Sequence, residues 1–286
     1  IMANVTMEHY KNNLERAWCP GCGNFGILNL LQKTLVDMQI PPQRVLLCSG
    51  IGQAPKIVHY LQTNAFNGLH GRELASAQAA KMVADDLTVI VHAGDGGAYG
   101  EGGNHFLHAM RRNVDVTFLV HDNHIYGLTK GQASPTTEQG QKVAVHPDGV
   151  IALPMNPLAL AISQSCSFVA QILPSKPDHF QRVLSEAIRH PGFAYVNILQ
   201  PCVSWDFIHT YQYYQMHCYF LDDSHDPTNQ MQALTVALAT DGRIPLGILY
   251  RNQRPALRPR EILGIGDLRV GADRSVRLQK VLDRFR

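Results

Sequence analysis

Two groups of residues in this sequence have types and spacing that can do chemistry, and the first is a set of cysteines. Cys19 and Cys22 lie two residues apart in the segment WCPGCGN, and the chain has six cysteines in total. A Cys-x-x-Cys pair fits a redox dithiol, half of a zinc site, part of an iron–sulfur site, or two thiols of the hydrophobic core. In a chain expected to be cytoplasmic, six cysteines favour metal binding or catalysis over a disulfide framework.

The second group is glycine-rich and centred on Asp95 in HAGDGGAYGEGGNH. An apolar strand followed by a glycine-rich turn into a helix can bind a phosphate, because glycines allow close backbone approach and the helix start presents free N–H groups. A carboxylate at this place repels a bare phosphate, but it suits a Mg²⁺ ion lying between the two. Asn123 can supply a second, neutral oxygen. The alternative is an ordinary strand-to-helix turn capped by an aspartate.

Alternating apolar strands and helices are predicted to position these residues. We expect a doubly wound α/β fold with a parallel sheet covered on both faces, because the strands are continuous apolar runs. The predicted strands are Val45–Cys48, Leu87–Ala93, Val116–Val120, Phe168–Ile172, Phe193–Leu199 and Ile244–Tyr250. The predicted helices are Asn24–Met38, Arg72–Asp85, Gly102–Arg112, Pro157–Gln164 and Lys176–His190. A long polar loop is expected from Thr129 to about Pro154, and such loops are usually functional or at an interface.

Cys48, Asp95, Asn123 and Cys202 each follow a predicted strand closely. Ligands of open parallel sheets bind beyond the carboxyl ends of the strands. We therefore expect these four side chains to converge on one edge of the sheet and to form a site there. Cys166 and Cys218 lie outside this pattern and are interpreted as ordinary buried thiols.

Composition limits the class of protein. Apolar residues make up 45% and charged residues 17% of 286 residues, which is typical of a well-packed soluble enzyme. No apolar run approaches the ~20 residues of a membrane span and no leader pattern opens the chain, so a cytoplasmic location is expected. Residues 251–286 carry ten Lys/Arg and four Asp/Glu. We interpret this basic tail as a solvated or subunit-packing segment rather than a nucleic-acid site, because no recognition motif accompanies it.

The spacing from Gly94-Asp95-Gly96 through 26 residues to Asn123 resembles the thiamine-diphosphate motif of thiamine-dependent enzymes. The segments WCPGCGN, CSGIG, LHGR, GGNHFLHAMRRN, YGLTKGQASPTT and LQPC narrow the resemblance. Together they are similar to the β subunit of 2-oxoacid:ferredoxin oxidoreductases, over most of residues 15 to 205. One departure is Gly97, since the family commonly has a second aspartate directly after the Gly-Asp-Gly.

The resemblance implies four cofactors or co-substrates: thiamine diphosphate, Mg²⁺, a [4Fe–4S] cluster and coenzyme A. The implied cluster ligands are Cys19, Cys22, Cys48 and Cys202, and the implied Mg²⁺ ligands are Asp95, Asn123 and the backbone carbonyl of Ile125. The implied thiamine diphosphate contacts are Ser49, Ile51, His70, Gly94, Asp95, Gly96, Asn123, Ile125, Gly127 and Leu128. Lys130 is the candidate for an anionic substrate or coenzyme A.

The implied reaction is oxidative decarboxylation of a 2-oxoacid, with 2-oxoglutarate favoured over pyruvate, to acyl-CoA and CO₂. Electrons would pass through the cluster to ferredoxin, and the reverse reductive carboxylation is equally compatible. An α subunit is expected to complete the thiamine site and bring its activating glutamate, in a heterodimer or a dimer of heterodimers. Two alternatives stay open: a thiamine-dependent decarboxylase or carboligase without a cluster, and a zinc-stapled binding module without catalysis.

The implied domain division has three parts. Residues 1–205 form the α/β domain that binds thiamine diphosphate and Mg²⁺ and carries the cluster cysteines. Residues 206–250 complete the same domain with its late strand, and residues 251–286 form the basic tail.

Overall fold

The structure is a computed structural model that describes residues 4–258, 279 and 282–283, and its centre is an eight-stranded sheet. The sheet strands are β1 (Val45–Ser49), β2 (Asn64–Asn67), β3 (Thr88–Gly94), β4 (Val116–Asp122), β7 (Phe168–Ile172), β8 (Phe193–Leu199), β9 (Cys218–Phe220) and β10 (Ile244–Arg251). Two short strands, β5 (Ile125–Tyr126) and β6 (Gln132–Ala133), form a separate hairpin. The order across the large sheet is β2-β1-β3-β4-β8-β7-β10-β9.

The helices cover both faces of this sheet, as expected for continuous apolar strands. They are α1 (Gly23–Asp37), α2 (Glu73–Val83), α3 (Gly103–Arg112), α4 (Pro157–Ser163), α5 (Pro177–Arg189), α6 (Tyr211–His217) and α7 (Gln230–Ala237). Leu31 of α1 and Phe180 of α5 share one hydrophobic cluster with Leu47 of β1. Ala77 of α2 and Phe106 of α3 belong to the cluster on the opposite face. The doubly wound α/β prediction is therefore confirmed.

The sheet is mixed rather than wholly parallel, which corrects one part of the prediction. Strand β10 runs antiparallel to β7 and parallel to β9, while the other neighbouring pairs of the sheet are parallel. The parallel pattern holds where helices connect successive strands. The chain from β8 to β10 instead passes through α6, β9 and α7 before it returns beside β7.

The predicted strands and helices are all present, with ends displaced by at most two residues. Sequence patterning did not find β2, α6, β9 or α7. The β2 sequence NAFN is exposed along its whole length, so it has no buried face to produce a hydrophobic period. Helix α6 is short and rich in tyrosine, and only Tyr214 of its residues is buried.

Most of the basic tail, from residue 259 onward, lies outside the described residues apart from Gln279, Leu282 and Asp283. Among the residues that the structure describes, none of the helices has the length and apolar character needed to cross a bilayer.

Candidate active site

A cleft of about 650 Å³ opens at the carboxyl ends of β3 and β4, where the sequence predicted a ligand site. All the predicted thiamine diphosphate contacts except Ser49 line it: Ile51, His70, Gly94, Asp95, Gly96, Asn123, Ile125, Gly127 and Leu128. Sequence reasoning missed the remaining lining residues, which are Gly52, Gln53, Ala54, Pro55, Gly97, Tyr126 and Thr129. Gly52, Gly97 and Thr129 each follow directly after a predicted contact residue, so their position in the sequence could have indicated them.

The sheet register brings the two ends of the Gly-Asp-Gly…Asn motif together. Gly94 at the end of β3 pairs with His121 in β4, so Asp95 and Asn123 leave neighbouring strands at the same level. Asp95 is only 1% exposed, and Asn123 is buried with its side-chain Oδ1 accepting a hydrogen bond from the N–H of Ile125 at 3.1 Å. One end of the cleft therefore presents a carboxylate, a side-chain amide and the backbone around Ile125.

The protein alone does not stabilise the ionised form of the Asp95 carboxylate. Burial raises its pKa to about 8, and the nearby Asp122 carboxylate acts in the same direction. Hydrogen bonds from Ser134, Thr136 and Gly96 lower this pKa, but their effect is smaller. A divalent cation would reverse the balance, because opposite charge favours the ionised form. The donor set of carboxylate, amide and backbone oxygen is the set that Mg²⁺ prefers, so these residues fit the ion.

Asp122 and Thr136 were not predicted as site residues, although Asp122 directly precedes Asn123. The hydroxyl oxygen of Thr136 lies 2.9 Å from Oδ2 of Asp95 and 2.8 Å from Oδ1 of Asp122. The side-chain N–H of Asn197 donates to the other carboxyl oxygen of Asp122 at 3.2 Å. All of these groups are buried. They fix the orientation of the Asp95 carboxylate from the side opposite the cleft.

Gly96 is required by a close approach of an aromatic ring. A Cβ atom at this position would lie 2.2 Å from Cε1 of Tyr126, far inside van der Waals contact. The Tyr126 ring therefore packs directly on the backbone of the Gly-Asp-Gly turn. This contact closes one wall of the cleft and keeps the backbone N–H groups of the turn free of side chains, as a diphosphate site needs.

His70 also lines the cleft, with its ring centroid 6.0 Å from that of Tyr126, and it is held at both ring nitrogens. Its Nδ1 is 2.7 Å from the carbonyl oxygen of Ile51, and its Nε2 is 3.0 Å from the carboxylate of Glu101. A Cβ atom at Gly97 would lie 3.2 Å from the ring carbon Cε1 of His70. The glycine that departs from the family pattern thus leaves room for this histidine beside the turn.

Ser49 and Lys130 are placed differently from the other predicted contacts. Ser49 is fully buried at the end of β1, where its hydroxyl accepts a hydrogen bond from Asn67 at 2.8 Å, and it does not line the described cleft. Lys130 is exposed and adopts a left-handed φ of 78°, directly after the lining residue Thr129. Its charge therefore stands at the edge of the cleft rather than inside it.

Three of the four predicted cluster cysteines lie in one region. The pKa of the Cys22 thiol is raised by burial first and then by the nearby Cys202 and Cys19, while N–H groups of Asn24 and Gln200 lower it. The side-chain N–H of Gln200 donates to Sγ of Cys22 at 3.6 Å. These contacts dock the segment that carries Cys202 onto the start of α1.

Cys48 does not follow a strand as predicted, because β1 continues one residue further, to Ser49. It lies within β1, with its backbone paired to Phe66 on one side and Val91 on the other. Its side chain is 1% exposed and packs in the hydrophobic cluster of α2 and α3, whereas Cys22 packs against the cluster of α1. Successive residues of a strand point to opposite faces, and this parity sends Cys48 away from α1. The ligand set of Cys19, Cys22, Cys48 and Cys202 stays a prediction.

Within the described part of the chain, no three His, Cys, Asp or Glu side chains lie close enough to hold one metal ion together. A tetrahedral zinc ion needs its thiolates within about 4 Å of each other, given Zn–S bonds of about 2.3 Å. This finding concerns single ions such as zinc. It does not bear on a cluster, because thiolates that hold a cluster bind different irons and lie further apart. Of the two remaining cysteines, Cys166 is fully buried, as expected, and Cys218 is half-buried in β9.

The fold and this cleft define a thiamine-diphosphate-binding α/β protein, and comparison with known proteins agrees. Residues 50–198 match the family described as "Thiamine pyrophosphate enzyme, C-terminal TPP binding domain". Residues 202–260 match the family that describes the C-terminal part of the pyruvate ferredoxin oxidoreductase beta subunit.

The chain is 39% identical over 262 residues to 2-oxoacid:ferredoxin oxidoreductase 1, subunit beta, of Aeropyrum pernix, covering 88% of this chain and 82% of that one. It is 42% identical over 249 residues to the 2-oxoacid:ferredoxin oxidoreductase subunit beta of Saccharolobus solfataricus, covering 82% of each. The chain therefore belongs to the family of 2-oxoacid:ferredoxin oxidoreductase β subunits.

A solved structure extends this similarity to the whole fold. The match is to 2-oxoglutarate:ferredoxin oxidoreductase from Magnetococcus marinus with 2-oxoglutarate, coenzyme A and succinyl-CoA bound. It has a TM-score of 0.90 and 34% identity, and it covers 97% of this chain and 96% of that chain.

Proposed function

We propose that this chain, with an α subunit, catalyses the oxidative decarboxylation of a 2-oxoacid to acyl-CoA and CO₂, with ferredoxin as electron acceptor, or the reverse carboxylation. The observation that carries the proposal is the cleft in which Asp95, Asn123 and the backbone of Ile125 meet at one end and His70 forms one wall. This geometry occurs in a chain that is about 40% identical to β subunits of that enzyme family.

The metal end of the cleft would bind the diphosphate of the cofactor. Asp95, the side-chain oxygen of Asn123 and the carbonyl of Ile125 would hold Mg²⁺, which neutralises the charge between Asp95 and the phosphates. His70 is held in the cleft wall by the carbonyl of Ile51 and the carboxylate of Glu101, and its ring would lie against the diphosphate. When bound, thiamine diphosphate supplies the electron sink for decarboxylation.

The other end of the cleft supports the need for an α subunit. Ile51 is 45% exposed and Leu128 is 39% exposed, although both line the cleft. Apolar groups at a reactive centre exclude water only when they are covered. The two side chains would be covered by the α subunit when it completes the thiamine site, so the isolated chain would be inactive.

The cysteine site lies close to the metal end. A Cβ atom on Gly127 would be 3.8 Å from Nδ2 of Asn123 and 4.0 Å from Sγ of Cys202, so a single glycine separates the two sites. This is the place on the chain where a one-electron relay to ferredoxin would lie. The proposed ligands of this relay cluster are Cys19, Cys22, Cys48 and Cys202, as the sequence implies.

We further propose 2-oxoglutarate as the preferred substrate over pyruvate. Relatives named for 2-oxoglutarate include the KorB subunit of Mycobacterium tuberculosis, which is 42% identical over 195 residues, and the similar solved structure contains this substrate. The distal carboxylate of 2-oxoglutarate needs a cationic partner, and charge-assisted hydrogen bonds to carboxylates are strong. Lys130 stands at the cleft edge where it would meet that carboxylate.

The experiment uses the complex of both subunits, purified without oxygen. We expect 2-oxoglutarate and coenzyme A together to release CO₂ and reduce ferredoxin, with a higher kcat/KM than pyruvate gives. Asp95→Asn in the same complex is expected to abolish the reaction, because it removes the anionic metal ligand. CO₂ release without acceptor reduction would instead identify a thiamine-dependent decarboxylase, and a complex that does not bind thiamine diphosphate would refute the proposal.

A further inference from the structure

The sulfur of Cys22 is surrounded by groups that favour a negative charge. Burial raises the pKa of this thiol, and the backbone N–H of Asn24 and the side-chain N–H of Gln200 both lower it by hydrogen bonding. Cys22 is also the N-cap of the 15-residue helix α1, so it lies at the positive end of the helix dipole. A thiolate that holds a metal group gains more from such donors than a neutral thiol does.

The Gln200 side chain is fixed in front of this sulfur. The residue is 1% exposed, and its side-chain N–H donates to Sγ of Cys22 at 3.6 Å. Its backbone N–H donates to the carbonyl of Asp122 at 2.9 Å, which ties it to the end of β4. A Cβ atom on Gly23 would lie 2.7 Å from Cγ of Gln200, so the stem of the side chain rests on the first residue of α1. The amide therefore has little freedom to turn away from Cys22.

The second donor, the backbone N–H of Asn24, belongs to a residue that a buried chain of polar side chains holds in place. Nδ1 of His121 lies 2.8 Å from Oδ1 of Asn24, and Nε2 of His121 lies 3.0 Å from Nδ1 of His92. All three side chains are fully buried. Donors that are positioned before a charge arrives stabilise that charge without a cost of reorganisation. The sulfur of Cys22 thus faces two preorganised N–H groups, one from the backbone and one from a side chain.

We propose that Gln200 raises the reduction potential of the iron–sulfur relay through its N–H···S hydrogen bond to Cys22, as a positioning residue and not as a ligand. The proposal rests on the proposed function, which requires a one-electron relay at these cysteines. Reduction adds one negative charge that the ligand sulfurs share, so a donor to one of these sulfurs stabilises the reduced state more than the oxidised state. Hydrogen bonds to the sulfurs are among the factors that set the potential of such clusters.

The first test is a redox titration of the complex of both subunits, purified without oxygen and followed by the EPR signal of the reduced cluster. Gln200→Met keeps the length of the side chain but removes the N–H donor. We expect its midpoint potential to fall by about 60 mV, which corresponds to a tenfold change in a one-electron equilibrium. Gln78→Met is the matched control, because Gln78 is also buried and its amide donates to Leu74 within α2. A potential that is equal in the two variants would overturn the inference and leave the proposed function intact.

A second measurement uses the unmodified complex, so it does not depend on how well a variant folds. Glutamine labelled with ¹⁵N at its side-chain amide is incorporated, and the pulsed EPR spectrum of the reduced cluster is compared with that of unlabelled protein. We expect a weak ¹⁵N coupling in the labelled complex, and we expect Gln200→Met to lose it. A labelled complex without this coupling would overturn the role of Gln200, even if the variant loses its iron. An unmodified complex that takes up neither iron nor sulfide would overturn both this inference and the ferredoxin-linked function.

Discussion

The metal end of the cleft and the cysteine site lie on either side of Gly127, yet they are built in different ways. Asp95 and Asn123 leave the ends of two neighbouring strands whose register is fixed by hydrogen bonds, with Gly94 opposite His121. Cys22 and Cys202 instead come from the start of a helix and from a loop, which side-chain packing and the hydrogen bond from Gln200 to Cys22 hold together. Sequence spacing is a reliable guide where a backbone ladder fixes the geometry, and a poor one where loops converge.

Removing the ligand at the metal end is expected to have the largest effect. Asp95→Ala deletes the anionic oxygen for Mg²⁺, so we expect the affinity for thiamine diphosphate with Mg²⁺ to fall by about 100-fold or more, since even indirect partners of metal ligands contribute 10- to 100-fold. Isothermal titration of the complex of both subunits measures this. Asp178→Ala, at the exposed start of α5, is the control and should leave the affinity unchanged. An affinity equal in the two variants would remove Asp95 from the metal site.

Crowding the turn beside the same ligand is the next test. Gly96→Ala places a Cβ atom 2.2 Å from the Tyr126 ring, so the ring or the turn must move. We expect about a tenfold weaker affinity for thiamine diphosphate, and a lower melting temperature. Gly103→Ala is a matched control in α3, because a Cβ there meets nothing within 4 Å and alanine favours helix by up to about 1 kcal/mol. If both variants bind alike, the close packing of Tyr126 on the turn is not needed.

The pH dependence of the free energy of unfolding tests the metal end of the cleft, because Asp95 lies there. Asp95 has a folded pKa of about 8 against an ordinary value of 3.8, so between these values the folded chain holds a proton that the unfolded chain releases. Stability of the metal-free chain should therefore fall as pH rises from about 4 to 8 and level off above. Melting temperatures from pH 5 to 9 measure this fall. Asp95→Asn should flatten it, and a slope unchanged by that substitution would assign it elsewhere.

The smallest effect is expected at the boundary between the two regions. A Cβ atom on Gly127 would make ordinary van der Waals contacts, at 3.8 Å with Asn123 and 4.0 Å with Cys202. Gly127→Ala should therefore change the melting temperature by no more than about 1 °C and leave both thiamine diphosphate binding and iron content in place. A variant that loses one site and keeps the other would show that the two depend differently on this residue.

Much of the fold was predictable because the central strands have a clear hydrophobic pattern. Strand β8 was predicted with its observed ends, Phe193–Leu199, since all its residues but Asn197 are apolar or aromatic and it is buried on both faces. The β2 strand and helix α7 were missed because few of their residues are buried: β2 is exposed along its whole length, and Ala233 is the one buried residue of α7. Asp122 was visible in the sequence, but nothing there indicated that Thr136, fourteen residues away, would join it to Asp95.

The sequence by itself determined the α/β class, the strand-end position of Asp95 and Asn123, and the cleft residues beside them. The reason is that parallel strands end at the same edge of a sheet, so residues that follow two neighbouring strands lie close together. It did not determine which cysteines meet. Cys48 stands next to Ser49 and the cleft in sequence, but strand parity and the position of α1 on the other face of the sheet direct its thiol into the core. Only tertiary packing decides which helices cover each face of the sheet, because the hydrophobic pattern of a strand that is buried on both sides is the same for either face.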